Sequence, residues 1–307
     1  MQTLTLPNKL LLATALAAAL GLTANALAQR HGNQRYDDYP FSTPPKVTQN
    51  SYNLGATPQI TVDNLTGPIT VVGDGGSTVR FTATEIIYGR SQDALTRAQS
   101  EVSLAVTPGS DSLVLYVDGP FRCGSQDANS SRCGSHWGWR WDNPGYEVHF
   151  AFELHVPAGA RPTLKSVNGG DITLTRVGGD YDLRNVNGGV DVEDASGSGR
   201  ASSVNGRVSA GFSSNPRADC QFSTVNGEVS LTLQPGLNAD LHYTTVNGGV
   251  YSDFPVAPMS VAAPAGESNG HMIVFRRGRI TGGRIGQGGP MLTLHTVNGD
   301  IYLHEHK

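Results

Sequence analysis

Ser166-Val-Asn-Gly-Gly-Asp-Ile172 contains the first of six copies of the tripeptide Val-Asn-Gly. The copies begin at Val167, Val186, Val204, Val225, Val246 and Val297. The first four steps between copies are 19, 18, 21 and 21 residues long, and the last is 51. A period of about 20 residues is typical of a repeat architecture, in which each unit packs only on its neighbours.

Apolar residues recur at fixed distances on both sides of each copy. Tyr181 and Leu183 stand five and three residues before Val186, and Val190 and Val192 stand four and six residues after it. Apolar residues two positions apart are typical of a strand with one buried face. Each Val-Asn-Gly is therefore predicted to be a corner between two short strands.

Two architectures are compatible with such corners. Asn-Gly between alternating strands is a strong hairpin signal, which would give a β-sandwich of antiparallel strands. A parallel β-solenoid also explains the period, because identical corners then stack about 4.8 Å apart and their Asn side chains can form ladders. We predict an all-β fold: a single-chain parallel β-solenoid with an irregular strand-rich N-terminal part and one short helix. The corner residues, whose glycines are expected at φ > 0, are Asn168, Gly169, Asn187, Gly188, Asn205, Gly206, Asn226, Gly227, Asn247, Gly248, Asn298 and Gly299.

The N-terminus has the pattern of an export signal. Lys9 precedes the apolar run Leu10–Ala19, and Ala26-Leu27-Ala28 fits the rule for cleavage between small residues. We expect residues 1–28 to be a signal peptide, since the apolar run is shorter than the roughly 20 residues of a membrane span. The rest of the sequence shows no membrane-spanning segment. The signal peptide therefore predicts that the protein is exported, to the periplasm or the cell surface.

The remaining chain divides into three predicted parts. Residues 29–46 are polar and expected to be a disordered linker. Residues 47–157 form a strand-rich cap of the solenoid, with one helix at Ser91–Glu101 that begins at Ser91 as N-cap. Residues 158–304 hold the repeats, with an irregular insertion at 251–290, and the charged tail 304–307 is expected at the far end of the solenoid.

Composition limits the possible partners. The net charge is −4, and it becomes −5 when residues 1–28 are removed with Lys9. This acidic balance argues against nucleic acid as a partner. The sequence leaves the oligomeric state open.

Three cysteines are present, at positions 123, 133 and 220. An exported chain meets an oxidising compartment, so a disulfide between Cys123 and Cys133 is the leading interpretation. Metal binding by this loop together with His136 is the alternative. Cys220 stands at an inward repeat position and is predicted to be a buried free thiol.

The repeats resemble a family of bacterial secreted proteins of unknown function that carries the name "putative adhesin". The resemblance rests on Ser166–Ile172, Thr245–Val250, Thr296–Ile301 and the glycine-rich run Gly282–Gly289. It covers roughly residues 58–304, and the cysteine loop and the tryptophans depart from the family pattern. The resemblance implies a repeat β-solenoid with an adhesive role and offers no catalytic residues.

An aromatic segment is the candidate ligand contact. Trp137, Trp139 and Trp141 are the three tryptophans of the chain, and Tyr146 follows them. A spacing of two puts the tryptophans on one side of an extended segment, where the rings could stack on a sugar or grip a partner side chain. The alternative is that they pack against the solenoid.

Acidic residues near the corners suggest two further possibilities. Gly-Gly-Asp at 169–171 and 178–180 faintly resembles calcium-binding β-roll repeats, although the nine-residue period is absent. Asp180, Asp182 and Arg184 could line up with Asp191 and Glu193 in a sugar-cleaving site, but no nucleophile–base pair stands out. We expect solvated turns, no catalytic residues, no metal and no cofactor.

The sequence therefore predicts a non-enzymatic, adhesin-like scaffold whose solenoid surface binds proteins or cell-envelope surfaces. The alternative is a glycan-binding protein that uses the Trp137–Trp141 segment.

Overall fold

The computed structural model describes residues 39–122, 144–259, 268–269, 272–273 and 281–307. These residues form an all-β fold with one short helix, as the sequence predicts. The strands are β1 (Phe41–Ser42), β2 (Lys46–Asn53), β3 (Gln59–Asp63), β4 (Ile69–Asp74), β5 (Thr78–Gly89), β6 (Ser103–Pro108), β7 (Ser112–Asp118), β8 (Tyr146–Pro157), β9 (Arg161–Lys165), β10 (Ile172–Thr175), β11 (Tyr181–Arg184), β12 (Val190–Ala195), β13 (Gly199–Ser202), β14 (Val208–Phe212), β15 (Cys220–Ser223), β16 (Val229–Leu233), β17 (Ala239–Asn247), β18 (Val250–Ser252), β19 (Val256–Met259), β20 (Ser268–Asn269), β21 (Met272–Ile273), β22 (Thr281–Ile285), β23 (Met291–Asn298) and β24 (Ile301–Glu305).

The helix α1 spans Gln92–Glu101. The hydroxyl of Ser91 accepts a hydrogen bond from the backbone N–H of Ala94 at 3.2 Å, which satisfies one of the free N–H groups of the first turn. Ala94, Leu95 and Ala98 are buried on one face. The predicted helix and its N-cap are therefore confirmed.

Most strands belong to two large sheets that mix parallel and antiparallel pairs. The first sheet has the order β1-β5-β8-β4-β10-β12-β14-β16-β24-β18, with β2 also on β5. The second has the order β19-β22-β17-β23-β15-β13-β11-β9-β3-β7-β6. From β9 to β18 the chain alternates between the sheets, and these strands pair in parallel with their counterparts from other repeats. Antiparallel pairs lie toward the ends, for example β5 with β8 and β17 with β22.

The corners stack in an order that differs from the order of the chain. Asn298, in the sixth copy, lies between Asn226 of the fourth copy and Asn247 of the fifth. Correspondingly, β23 pairs with both β15 and β17, and β24 pairs with both β16 and β18. The last repeat is thus inserted between two earlier ones.

The N-terminal end shows a similar displacement. β3 and β4 are joined by Asn64-Leu65-Thr66-Gly67, and Thr66 pairs with Asn168, so this segment is a degenerate first corner. β3 lies between β7 and β9, and β4 lies between β8 and β10. β7 and β8, which come later in the chain, therefore cover β3 and β4 on the side that faces away from the repeats.

Two sequence expectations differ from this arrangement. The tail does not lie at the end of the stack, because β24 is an inner strand and the N–H of His306 donates to the carbonyl of Leu233 at 2.8 Å. Residues 29–38 of the predicted linker, like the predicted signal peptide, lie outside the described residues. The rest of the linker includes β1 and the start of β2, which pair with β5.

The core fills the space between the sheets with the predicted inward residues. Leu183, Val190, Phe222 and Ile301 are fully buried. The exceptions are Gly199 on β13 and Tyr243 on β17, which are half-buried, and the residues of β18. On β18, which ends the first sheet, Val250 is half-buried and Ser252 is exposed. The alternating pattern in the sequence therefore identifies the buried face of nearly every repeat strand.

The corner glycines are required mainly for a close approach between neighbouring repeats. A Cβ atom on Gly188 would stand closer than 3.0 Å to the carbonyl oxygen of Gly170, and the same holds for Gly206 against Gly188. Positive φ angles occur at three of the six corner glycines, Gly169 (72°), Gly227 (156°) and Gly299 (156°), and not at Gly188, Gly206 or Gly248. The expectation of φ > 0 therefore holds at three of the six corners. At Gly188, Gly206 and Gly248 the requirement is steric, because the stacked backbones leave no room for a side chain.

Candidate binding edge

The residue before each corner valine is polar, and its side chain donates a hydrogen bond to the backbone of the neighbouring corner in the stack. Thr224 is 1% exposed, and its hydroxyl donates to the carbonyl of Gly206 at 2.7 Å. Equivalent bonds join Ser166 to Gly67, Asn185 to Gly170, Ser203 to Gly188, Thr296 to Gly227 and Thr245 to Gly299. At the degenerate first corner, Asn64 Nδ2 donates to the carbonyl of Phe150 at 2.8 Å. This inner ladder satisfies corner carbonyls that would otherwise be buried without partners.

The corner asparagines form a second ladder on the outside. Asn187 Nδ2 donates to Asn168 Oδ1 at 2.7 Å, and Asn247 Nδ2 donates to Asn298 Oδ1 at 2.7 Å. Three more bonds of 2.7–2.8 Å complete the ladder, from Asn205 to Asn187, from Asn226 to Asn205 and from Asn298 to Asn226. The predicted asparagine ladder is confirmed across all six copies.

Between the two ladders, the corner valines reach the surface. Val204 is 39% exposed, Val225 is 38% exposed and Val246 is 66% exposed. Leu65, Val167, Val186 and Val297 occupy the equivalent positions and are half-buried. Seven corners at the strand spacing make a stripe roughly 29 Å long. We call these seven aliphatic side chains with the asparagine ladder the binding edge.

Corner valines are prominent among the exposed apolar residues. In the described part of the chain, six large apolar side chains are exposed, and three of them are corner valines. Isolated exposed apolar residues need no explanation, but a contiguous apolar patch marks an interaction surface. Because the corners stack, their aliphatic side chains lie in one row and are not scattered singly.

Acidic residues beside the corners have structural partners. Asp171 Oδ1 accepts the N–H of Gly189 at 2.6 Å, and Asp300 Oδ1 accepts the N–H of Gly249 at 2.7 Å. Each carboxylate thus satisfies a backbone donor of the adjacent corner. Among the described residues, no group of three or more His, Cys, Asp or Glu side chains is placed to hold a metal ion.

The acids considered for a sugar-cleaving site do not converge. Asp182 is on β11 in the second sheet and forms an ion pair with Arg184 at 2.7 Å. Asp191 is on β12 in the first sheet, where it contacts Ser209 at 2.5 Å and Arg207 at 3.1 Å. The repeat explains their spacing, but it places them on different sheets.

The aromatic candidates are only partly covered by the structure. Trp137, Trp139 and Trp141 lie outside the described residues, so their role stays a prediction. Tyr146 is only 5% exposed, and its hydroxyl donates to Glu101 Oε2 at 2.5 Å. Burial, followed by this bond to a carboxylate, raises the pKa of Tyr146. Because its ring is enclosed beside α1, Tyr146 offers almost no surface to a ligand, contrary to its predicted role.

Cys220 is a free, buried thiol, as predicted. Burial is the main reason why the pKa of this thiol is raised. Cys123 and Cys133 lie outside the described residues, so the disulfide between them also stays a prediction. Within the part of the chain that the structure describes, no helix is both long and apolar enough to cross a membrane.

Neither a protein-family model nor a curated protein matches the chain. Two solved structures are similar to it. One is a "putative cell adhesion protein" from Clostridium sporogenes, with a TM-score of 0.43 and 10% identity, covering 86% of this chain and 100% of the other. The second is a "putative adhesin" from Bacteroides fragilis, with a TM-score of 0.32 and 11% identity, covering 85% of this chain and 97% of the other.

Proposed function

We propose that this protein is a non-enzymatic, exported, adhesin-like scaffold whose repeat region binds proteins or cell-envelope surfaces through the binding edge. The observation that carries this proposal is the row of exposed corner valines. The inner ladder and the corner glycines hold the repeats together, and neither requires an apolar residue at the outward position. An aliphatic residue at all seven of these positions exposes apolar surface that association with a partner would bury.

The proposed scaffold is a β-solenoid. Parallel pairing between equivalent strands of neighbouring repeats supports it, as does the stacking of equivalent corners. A solenoid presents the same side chain at a regular spacing, so a weak contact made at one corner is repeated at the next. Repeated contacts raise the overall strength of binding without any single strong site.

A binding role without catalysis is supported by the partners of the charged groups. Asp171 and Asp300 bond to corner backbone, and Asp182 pairs with an arginine on its own strand. These acids stabilise turns and strand surfaces. The export signal predicted at residues 1–28 would deliver such a scaffold to envelope surfaces.

Isosteric polar substitutions can test this proposal. The triple variant Val186→Thr, Val204→Thr and Val225→Thr keeps β-branched side chains and removes three apolar surfaces. We expect at least about tenfold weaker binding to an immobilised native envelope fraction, since truncating a few central contacts commonly has this effect. Val47→Thr is the matched control, because Val47 is 40% exposed on β2, outside the corner stack.

The triple variant should keep the melting temperature of the wild type, which separates lost binding from lost folding. Equal envelope binding by the triple variant and the wild type would eliminate the binding edge as the contact surface. Absence of wild-type binding to the envelope fraction would eliminate the proposed function itself.

A further inference from the structure

The outer face of the first sheet changes character toward its C-terminal end. One row of outward residues crosses the parallel strands in register, one residue per strand. In the order of the sheet its members are Thr70, Thr173, Asp191, Ser209, Ser230, Tyr302 and Tyr251. Short polar side chains thus give way to two aromatic rings on the last two strands.

These rings form a compact group with a third ring. The centroids of Tyr251 and Tyr302 are 5.2 Å apart, and their planes differ by 16°. His304 lies 5.7 Å from Tyr302 with a plane difference of 10°. We call Tyr251, Tyr302 and His304 the aromatic row. Tyr251 is 54% exposed, so much of its ring surface faces solvent.

Carboxylates border the aromatic row. Asp300 Oδ2 accepts the hydroxyl of Tyr302 at 3.1 Å. Asp253 Oδ2 accepts the N–H of Glu305 at 3.2 Å and lies 3.4 Å from His304 Nδ1. The bond from the Glu305 backbone is the main reason why the pKa of Asp253 is lowered, with His304 contributing second. Asp253 is therefore a carboxylate at neutral pH, with acceptor capacity left for further donors.

This combination of groups selects a class of ligand. The C–H face of a sugar ring is apolar and packs on an aromatic face, while its hydroxyl groups donate to carboxylates. Glu228 acts electrostatically on Tyr302, and Lys307 is a cation that acts on Asp253. Three carboxylates (Asp253, Asp300 and Glu228) outnumber this lysine, so the surface would disfavour an acidic glycan or a phosphate chain. The neighbouring Ser230 and Ser209 have small side chains, which leave space for a ligand beside the rings.

We propose that the aromatic row is a binding site for a neutral carbohydrate. The inference rests on the proposed binding function and adds to it a second surface, with its own ligand class. It uses other residues than the tryptophan segment that the sequence suggested for glycan binding.

The test uses the full-length mature protein and immobilised oligosaccharides. Neutral oligomers of glucose, galactose and N-acetylglucosamine are compared with oligomers of uronic acids. We expect the wild type to bind at least one neutral oligomer more strongly than any acidic one. Tyr251→Ala should lower that affinity at least about tenfold, as for a central contact residue, whereas Tyr251→Phe should stay within about threefold.

Phe41→Ala on β1 is the matched control, because Phe41 is an exposed aromatic residue (38% exposed), and we expect it to bind like the wild type. Tyr251 lies on the exposed terminal strand, so its substitution is tolerated better than a change at the half-buried Tyr302. Melting temperatures then show whether the row only holds β18 in place. A folded Tyr251→Ala that binds like the wild type would overturn the proposal, and so would a preference for acidic oligomers.

A folded wild type that binds none of the neutral oligomers would also overturn it. If Trp139→Ala abolishes sugar binding while Tyr251→Ala retains it, the site lies in the tryptophan segment and the present proposal is wrong. The envelope assay with the valine variants is independent, so failure of the binding edge and failure of the aromatic row give different results.

Discussion

The side-chain amide of Asn247 donates to Asn298 Oδ1 at 2.7 Å, although the two residues are 51 positions apart in the chain. Asn298 in turn donates to Asn226. The sixth repeat therefore joins the fourth to the fifth, and neither of those repeats contacts the other at the corner. This relationship makes the C-terminal segment an internal part of both sheets.

Removal of residues 291–307 is expected to unfold the repeat region. The deletion takes away Leu292, Leu294, Ile301 and Leu303, all of them buried, and leaves a gap between β15 and β17. Each lost side chain costs about 2–5 kcal/mol, so the total reaches the whole stability of an ordinary domain. Circular dichroism during heating measures the effect. As a control, removal of residues 306–307 alone should lower the melting temperature only slightly. A cooperative, wild-type-like transition after the long deletion would contradict the internal position of β23 and β24.

Gly188→Val is expected to be far more damaging than Ser198→Ala. Even the first side-chain atom of valine would collide with the carbonyl of Gly170, and overpacking of this kind costs about 1–3 kcal/mol or more. Ser198→Ala removes the bond from the N–H of Ala218 to the serine hydroxyl, 3.2 Å long, worth about 1 kcal/mol. Urea denaturation of both variants gives the comparison. Equal midpoints would show that the corner has more room than the structure indicates.

Thr224→Val is expected to destabilise the fold by about 1–3 kcal/mol. The substitution preserves the shape of the side chain but leaves the carbonyl of Gly206 without the hydroxyl that now bonds to it. Val225→Thr at the adjacent exposed position is the control and should change the unfolding free energy by less than about 0.5 kcal/mol. If both variants unfold at the same urea concentration, the inner ladder contributes nothing to stability.

Tyr181→Phe is expected to leave stability unchanged or to raise it. Among the described residues, the Tyr181 hydroxyl is a buried polar group with no hydrogen-bond partner, so its removal relieves a desolvation cost. Tyr146→Phe is the matched control, because it removes a bond to the Glu101 carboxylate and should cost about 1.5–3 kcal/mol. Differential scanning calorimetry compares the two, and a large loss in Tyr181→Phe would reveal a partner for that hydroxyl.

One thiol is expected to react only after denaturation. Cys220 is 2% exposed and its pKa is raised by burial, so little thiolate is present or reachable at neutral pH. Cys123 and Cys133 are predicted to be joined in a disulfide. Counting of thiols in the native and the denatured protein tests both statements: two reactive thiols before denaturation would exclude the disulfide.

The period of the sequence predicts local structure well because each repeat contains its own signals. Alternating apolar residues identify the strands and their buried faces, and Ser91 identifies the start of α1. The inner ladder was visible in the same pattern, since Ser, Thr or Asn precedes every corner valine, but its role becomes clear only when Gly206 and Thr224 are seen together.

The order of the repeats could not be predicted from the sequence. All six corners carry the same tripeptide, so any of them can stack on any other as far as the local pattern is concerned. The 51-residue step before Val297 was the one sign of a different path. The burial of Tyr146 was missed for a related reason, because its partner Glu101 lies on a helix 45 positions away.

The internal position of the sixth repeat also affects the kinetics of folding. A chain that emerges from its N-terminus can pair β17 with β15 before β23 exists, and the shared corner pattern would make that pairing nearly native in its contacts. Such a pairing must separate again when the last seventeen residues arrive. Long-range parallel pairing is slow in itself, and a competing partner of the same sequence type adds a kinetic trap. We therefore expect the complete chain to show a slow final refolding phase, in which β17 separates from β15. A variant whose fifth corner no longer carries the shared Val-Asn-Gly sequence should lose this phase.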